Sequence, residues 1–149
     1  MLPFLAPPAQ VESVPLPAYS DADAFVFTDG RVEQVRRTKG DNVLWAGLNG
    51  SPYWRNRNPV VPMLSWKTRQ GEGRRTIVGK PDNLWPLGAN RRVRFRVVTE
   101  SRKGVRDPWV RTVALWACET GEAKSVTVAA GTFEAVPIQC DRHSATTMK

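Results

Sequence analysis

The sequence predicts the structure of one stretch more clearly than that of any other: RRVRFRVVTESRKGVRDPWVRTVALWACETGE, residues 91–122. Apolar or β-branched residues alternate with arginine over residues 92–97, which is the two-residue period of a strand with one buried face. Lys103-Gly104 lies between this run and a second one, over residues 109–119, that is rich in Val, Trp and Ala. The stretch therefore predicts an antiparallel β-hairpin.

The rest of the chain repeats this pattern of short strands separated by turn residues. The 149 residues include 12 Pro and 11 Gly, and Asp29-Gly30 is typical of a tight hairpin turn. Further strands are predicted at 24–28, 31–38, 42–48, 53–57, 125–128 and 133–142. The sequence predicts an all-β fold with a single antiparallel curved sheet that forms a barrel, a half-barrel or a sandwich.

One short helical turn is expected near residues 82–87. Asp82 is a candidate cap, and Pro86 keeps the turn short. Leu84, Trp85 and Leu87 would pack onto one end of the sheet, so the turn is expected to act as a plug.

The domain organisation follows from composition. Residues 1–20 are rich in Pro and are expected to form an extended tether, residues 21–143 the β domain, and residues 144–149 a C-terminal tail. A tether between an export signal or anchor and a folded domain indicates the periplasm or cell envelope. A disordered tail of a cytoplasmic protein is the alternative.

Positive charge is concentrated in the middle of the chain. The net charge is +8, and residues 31–111 carry 19 Lys and Arg against six Asp and Glu. Such a field favours an anionic polymer, an acidic membrane surface or another envelope protein as partner, with nucleic acid as a further possibility. The oligomeric state does not follow from it.

Arginine side chains are the best candidates for contact with such a partner. Arg92, Arg94 and Arg96 share one face of the predicted strand, and guanidinium groups bind carboxylates and phosphates with two parallel hydrogen bonds. The alternative is a solvated face with local ion pairs. The predicted anion-binding residues are Arg55, Arg57, Arg92, Arg94, Arg96 and Arg111, and Arg74 and Arg75 are expected to extend this patch.

Trp54 is the candidate for stacking with a base or a sugar. It is followed by Arg55 and Arg57, which is the interleaving of aromatic and basic residues that a single-strand groove uses. Most Trp residues in a β domain of this size fill the core. Trp45, Trp85 and Trp116 are expected there.

Cys118 and Cys140 are the only cysteines, and they lie on neighbouring or nearly neighbouring strands. They can form a disulfide if their Cα atoms come within about 7 Å, and such a bond indicates an oxidising compartment. Two buried reduced thiols are the alternative.

No combination of residues predicts catalysis, a cofactor or a metal. His143 stands alone beside Cys140, which is not a zinc spacing, and no nucleophile, base and electrophile occur together in a motif. The chain is therefore expected not to be an enzyme.

The segment VTVAAGTF, residues 126–133, lies between two predicted strands, so Gly131 is expected to form a bend and Phe133 to return to the core. The segment resembles the pattern V-x-V-x-A-G-T-F of uncharacterised bacterial cell-envelope proteins of barrel-like or half-barrel type. Ala129 stands where that pattern usually has Pro. The resemblance implies an exported, non-catalytic domain.

These observations favour a non-enzymatic binding or scaffolding module of the bacterial cell envelope with a basic sheet face for an anionic partner. A cytoplasmic nucleic-acid-binding barrel is one alternative. A carrier of a small hydrophobic ligand is another, because curved sheets of this size can enclose one.

Overall fold

A computed structural model describes residues 13–48 and 50–145 of the chain. That part contains eleven strands and one 3-10 turn, Pro81–Leu84. The strands are β1 (Ala24–Val26), β2 (Val32–Lys39), β3 (Asn42–Gly47), β4 (Tyr53–Asn56), β5 (Ser65–Thr68), β6 (Gly71–Gly79), β7 (Arg92–Arg102), β8 (Val110–Thr120), β9 (Lys124–Val128), β10 (Gly131–Ala135) and β11 (Ile138–Ala145).

Nine strands form one antiparallel sheet in the order β1-β2-β3-β4-β5-β6-β7-β8-β11. Each strand from β1 to β7 pairs with the next one along the chain, and β8 pairs with β11. The prediction of an all-β fold with one large curved antiparallel sheet is confirmed. The closed barrel is not: β1 and β11 remain edges, because no ladder joins them among the described strands.

The two faces of the sheet differ in chemistry, as the alternation in β7 predicted. Val93, Phe95 and Val97 lie on the face that carries the core, which we call the inner face. Arg94 and Arg96 lie on the opposite, outer face. The register pairs Phe95 with Trp116 of β8, so the inner face continues across both strands.

The 3-10 turn covers the inner face, as expected for a plug. Leu84 is completely buried, and it packs with Trp85, Leu87 and Phe95 in one core cluster. The expected cap was wrong: the side chain of Asp82 makes no capping hydrogen bond but accepts one from Nδ2 of Asn58 at 2.7 Å. The buried Asn58 amide needs that partner, because an unpaired buried polar group is costly.

Part of the predicted Pro-rich tether lies against the sheet. Val14 forms an antiparallel bridge with Leu87, whose backbone N–H donates to the Val14 carbonyl at 2.8 Å. Leu16 packs on the cluster around Leu84, and Tyr19 packs on a second cluster that includes Trp45. The remainder of the predicted tether, residues 1–12, lies outside the described residues, as does the end of the predicted tail, residues 146–149.

Strands β9 and β10 form a separate hairpin between β8 and β11. Gly131 has a φ of 134°, which confirms the bend expected there. The expectation that Phe133 returns to the core was wrong. Phe133 pairs with Val126 and is 54% exposed, because among the described residues β9 and β10 pair only with each other and contact no other strand.

A disulfide joins β8 to β11. Cys118 and Cys140 are direct cross-strand partners, and their Cα atoms lie 4.0 Å apart. The predicted pairing of the two cysteines is confirmed. Cys118 is buried in the main core cluster, so the bond connects the last strand to the interior.

Candidate functional site

The predicted arginine row lies on the outer face of β7. Arg92 forms an ion pair there, because its Nε lies 3.3 Å from Oε2 of Glu119 on the neighbouring strand. Arg94 and Arg96 are exposed and have no carboxylate within 4.0 Å among the described residues. Two guanidinium groups of the row are therefore available to a partner.

An apolar surface lies beside these two arginines. The register aligns Val78 of β6, Arg96 of β7, Leu115 of β8 and His143 of β11 in one row across the outer face. Val78 and Leu115 are each 49% exposed. Together with Arg94 they line an open groove of about 490 Å³, which we call the outer groove.

The remaining predicted arginines are not part of this groove. Arg111 lies on the outer face of β8 opposite Glu100. Arg55 pairs with the buried Val43 and lies on the inner face. Arg57 forms an ion pair with Asp41, with Nε 3.0 Å from Oδ1. The structure therefore distributes the predicted set over both faces.

Trp54, the predicted stacking residue, lies on the outer face of β4 between Leu44 and Ser65. The guanidinium of Arg37 lies over its ring at 5.5 Å, so a cation already occupies one face of the indole. Arg55 points to the other side of the sheet. The interleaved Trp54-Arg55 pair of the sequence is thus separated by the pleat.

A cross-strand ion-pair network, which the sequence pattern did not predict, covers the outer face of β6 and β7. Arg74 pairs with Glu100 at 2.8 Å, and Arg102 pairs with Glu72. Both guanidinium groups lie over the ring of Trp109, at 5.5 and 4.9 Å. These charges neutralise one another, so the network holds the 103–109 connection in place and does not extend the anion-binding row.

Arg75 lies on the inner face and has a different environment. Its Nη1 donates to the Met63 carbonyl at 2.8 Å and its Nε to Oγ1 of Thr99 at 3.3 Å. Its guanidinium lies over the ring of Trp66 at 4.4 Å. Burial, and to a smaller degree the positive charge of Arg142, lowers the pKa of Arg75.

Two further pKa shifts have local causes outside these sites. Burial, together with a hydrogen bond to Glu33, raises the pKa of Tyr53, whose hydroxyl donates to Oε2 of that residue at 2.6 Å. Hydrogen bonds from the backbone and side chain of Arg31 lower the pKa of Asp29 in its exposed turn. Neither shift brings together the acid and base of a catalytic pair.

Over the described ranges, no group of three or more His, Cys, Asp or Glu side chains is arranged to hold a metal ion. None of the helices in that part of the chain is long and apolar enough to cross a membrane.

Comparison with known proteins found no family model, no curated protein and no solved structure that matches the chain. Function is therefore inferred from the chemistry of the two faces of the sheet.

Proposed function

We propose that the chain is a non-enzymatic binding or scaffolding module of the bacterial cell envelope that engages an anionic partner through the outer groove. The observation that carries this proposal is the pair Arg94 and Arg96, exposed beside an apolar surface and without a carboxylate partner among the described residues. Because both residues project from the middle of a long paired strand, the spacing of their Cα atoms is fixed before a partner binds.

The apolar part of the groove favours one kind of partner over another. Val78 and Leu115 offer nothing to a purely polar polyanion, whereas they can contact the boundary between headgroups and acyl chains. An acidic membrane surface supplies both the negative charge and this apolar layer. We therefore favour it over nucleic acid.

The disulfide supports the proposed location. Disulfides persist in oxidising compartments such as the bacterial periplasm and are rare in the cytoplasm. The bond between Cys118 and Cys140 is compatible with an extracytoplasmic protein.

Vesicle sedimentation tests the proposal. The wild-type chain is expected to bind vesicles that contain phosphatidylglycerol, more weakly at high salt, and to leave vesicles of phosphatidylcholine alone unbound. One arginine near an acidic surface is worth about 1 kcal/mol, so Arg94→Glu with Arg96→Glu should weaken binding by at least about 2 kcal/mol, or roughly 30-fold.

The matched control reverses two other exposed arginines, Arg36→Glu and Arg69→Glu, which gives the same change in net charge. If the control weakens binding as much as the outer-groove variant, only net charge matters and the site is wrong. Leu115→Ser should weaken binding to vesicles but should leave binding to a soluble polyphosphate unchanged. Binding to a single-stranded oligonucleotide in the absence of vesicle binding would favour the nucleic-acid alternative.

A further inference from the structure

The β9–β10 hairpin has one apolar face and one polar face. Its register places Val126 opposite Phe133, and Val128 lies on the same face two residues along β9. Thr127 lies opposite Thr132 on the other face. The three apolar side chains are between 41% and 54% exposed. The apolar face is therefore open to solvent along its length.

The distal segment of the hairpin, residues 125–133, carries no charge. It contains no Asp, Glu, Lys, Arg or His, and the flanking charges, Lys124 and Glu134, belong to the two strand pairs nearest the base. On the polar face, Oγ1 of Thr127 lies 3.0 Å from Oγ1 of Thr132, so one hydroxyl donates to the other. A hydroxyl with an internal partner costs less to remove from water than a free one. The distal segment is thus suited to a medium less polar than water.

The hairpin is fixed at its base and contacts no other described strand. The backbone N–H of Gly121 donates to the Pro137 carbonyl at 3.0 Å, which joins the two chain segments that lead into and out of the hairpin. Neither β9 nor β10 contacts another strand of the described ranges. A strand of five residues is about 17 Å long, and an element bound at a membrane interface enters it by about 5 to 10 Å. The length therefore allows the distal segment to enter a bilayer.

The area of the apolar face argues against a second copy of the chain as its cover. A stable protein–protein interface takes roughly 800 Å² from each partner. Three side chains that are about half exposed offer only on the order of 300 Å². A membrane sets no such minimum, because binding to it increases with each apolar group that enters and with the electrostatic attraction of the rest of the protein.

The backbone of the hairpin limits how deeply it can insert. Among the described strands, β9 and β10 pair only with each other, so each has one edge of N–H and C=O groups without ladder partners. These groups need water or lipid headgroups, because the hydrocarbon core offers no hydrogen bonds. Insertion is therefore shallow, and the hairpin does not hold the chain on a neutral membrane by itself.

We propose that the β9–β10 hairpin inserts its apolar face, Val126, Val128 and Phe133, into the boundary between headgroups and acyl chains of a membrane. This is a second contact in addition to the outer groove, and it recognises the apolar layer without a charged side chain. The inference rests on the proposed function only for what brings the chain to the membrane. The experiment below replaces that step.

A fluorophore at position 128 reports insertion. Val128→Cys, labelled with a nitrobenzoxadiazole group, should emit at shorter wavelength and with higher intensity when phosphatidylglycerol vesicles are added. The two native cysteines do not react with the label, because they form the disulfide. Val105→Cys is the matched control, since it replaces another exposed valine, outside the hairpin. Its emission should stay as in water.

A tether separates insertion from recruitment by charge. A polyhistidine tag after Lys149 holds the chain on phosphatidylcholine vesicles that contain a nickel-chelating lipid. The label at position 128 should show the same shift on these vesicles, and it should keep that shift in the Arg94→Glu, Arg96→Glu background. If untethered wild type does not bind acidic vesicles but the tethered label shifts, the outer groove is wrong and the hairpin inference holds.

Substitutions on the apolar face measure its contribution to binding. Val128→Thr with Phe133→Thr should weaken binding of the untagged chain to phosphatidylglycerol vesicles about tenfold, because less apolar surface enters the membrane. Threonine is β-branched and keeps the preference for a strand. Val26→Thr with Phe27→Thr, a matched exposed pair outside the hairpin, should bind as the wild type does.

Three results would overturn the inference. The first is a label at position 128 that emits as in water on both kinds of vesicle; if the chain still binds acidic vesicles through Arg94 and Arg96, the proposed function stands without the hairpin. The second is an equal shift at position 105, which would indicate adsorption without a specific site. The third is a shifted emission without vesicles together with a dimer in light scattering, since a second copy would then cover the face.

Discussion

Reduction of the disulfide between Cys118 and Cys140 is expected to lower the free energy of unfolding by several kcal/mol. The two residues are separated by 22 positions, and the loop-closure entropy of a ring of this size corresponds to roughly 3.4 kcal/mol at 25 °C. For a chain of this length each kcal/mol changes Tm by about 2 to 4 °C, so the reduced protein should melt roughly 7 to 14 °C earlier.

Urea unfolding with and without a phosphine reductant measures this difference. Reduction is the appropriate perturbation because the buried Cys118 keeps its side-chain volume, whereas replacement of both cysteines by alanine also leaves a cavity. The Cys118→Ala, Cys140→Ala double variant is the control, and its unfolding should not respond to the reductant. A loss below about 1 kcal/mol on complete reduction would refute the reasoning, since the cross-link would then hardly restrict the unfolded chain.

Three further variants test the packing and the ionisation of particular residues. Leu84→Ala, at a completely buried position, should lower the unfolding free energy by about 3 to 5 kcal/mol in urea. Gly73→Ala should cost about 1 to 3 kcal/mol and change the intrinsic fluorescence, because the added Cβ displaces the indole of Trp66. The raised pKa of Tyr53 means that its stabilising contribution is complete below the ordinary pKa of about 10 and is lost as the pH rises above it. Tyr53→Phe should therefore reduce the loss of stability between about pH 10 and 12 in alkaline unfolding curves, and an unchanged slope would contradict the assignment.

The large hairpin could be predicted from the sequence because its pattern is strictly local. Val93, Phe95 and Val97 alternate with arginine without interruption, and such alternation specifies both a strand and its buried face. The disulfide could be anticipated for a similar reason, since Cys118 and Cys140 each lie on the core side of an alternating run.

The path of the chain after β8 could not be predicted in this way. The alternation around Phe133 is typical of a strand with one buried face, but alternation does not say whether a second layer exists to bury it. Pro137 separates β10 from β11 and has no backbone N–H, so the ladder is interrupted there. The chain forms the exposed hairpin first and returns to the sheet only at Ile138.

The candidate sites depended on register, which a single sequence does not specify. Arg55 follows Trp54 directly, yet the pleat places the two residues on opposite faces. The pairs of Arg74 with Glu100 and of Arg102 with Glu72 join positions 26 and 30 residues apart. The sequence alone does not show that the two glutamates neutralise these arginines, because that requires the pairing of β6 with β7.

The separate β9–β10 hairpin also makes the chain suitable for engineering. Its tip is Ala129-Ala130, and among the described strands β9 and β10 pair only with each other. Exposed loop tips of this kind tolerate inserted segments, because no buried backbone pairing is broken. A peptide tag or a fluorescent reporter inserted between these two alanines would leave the register of all nine strands of the sheet unchanged.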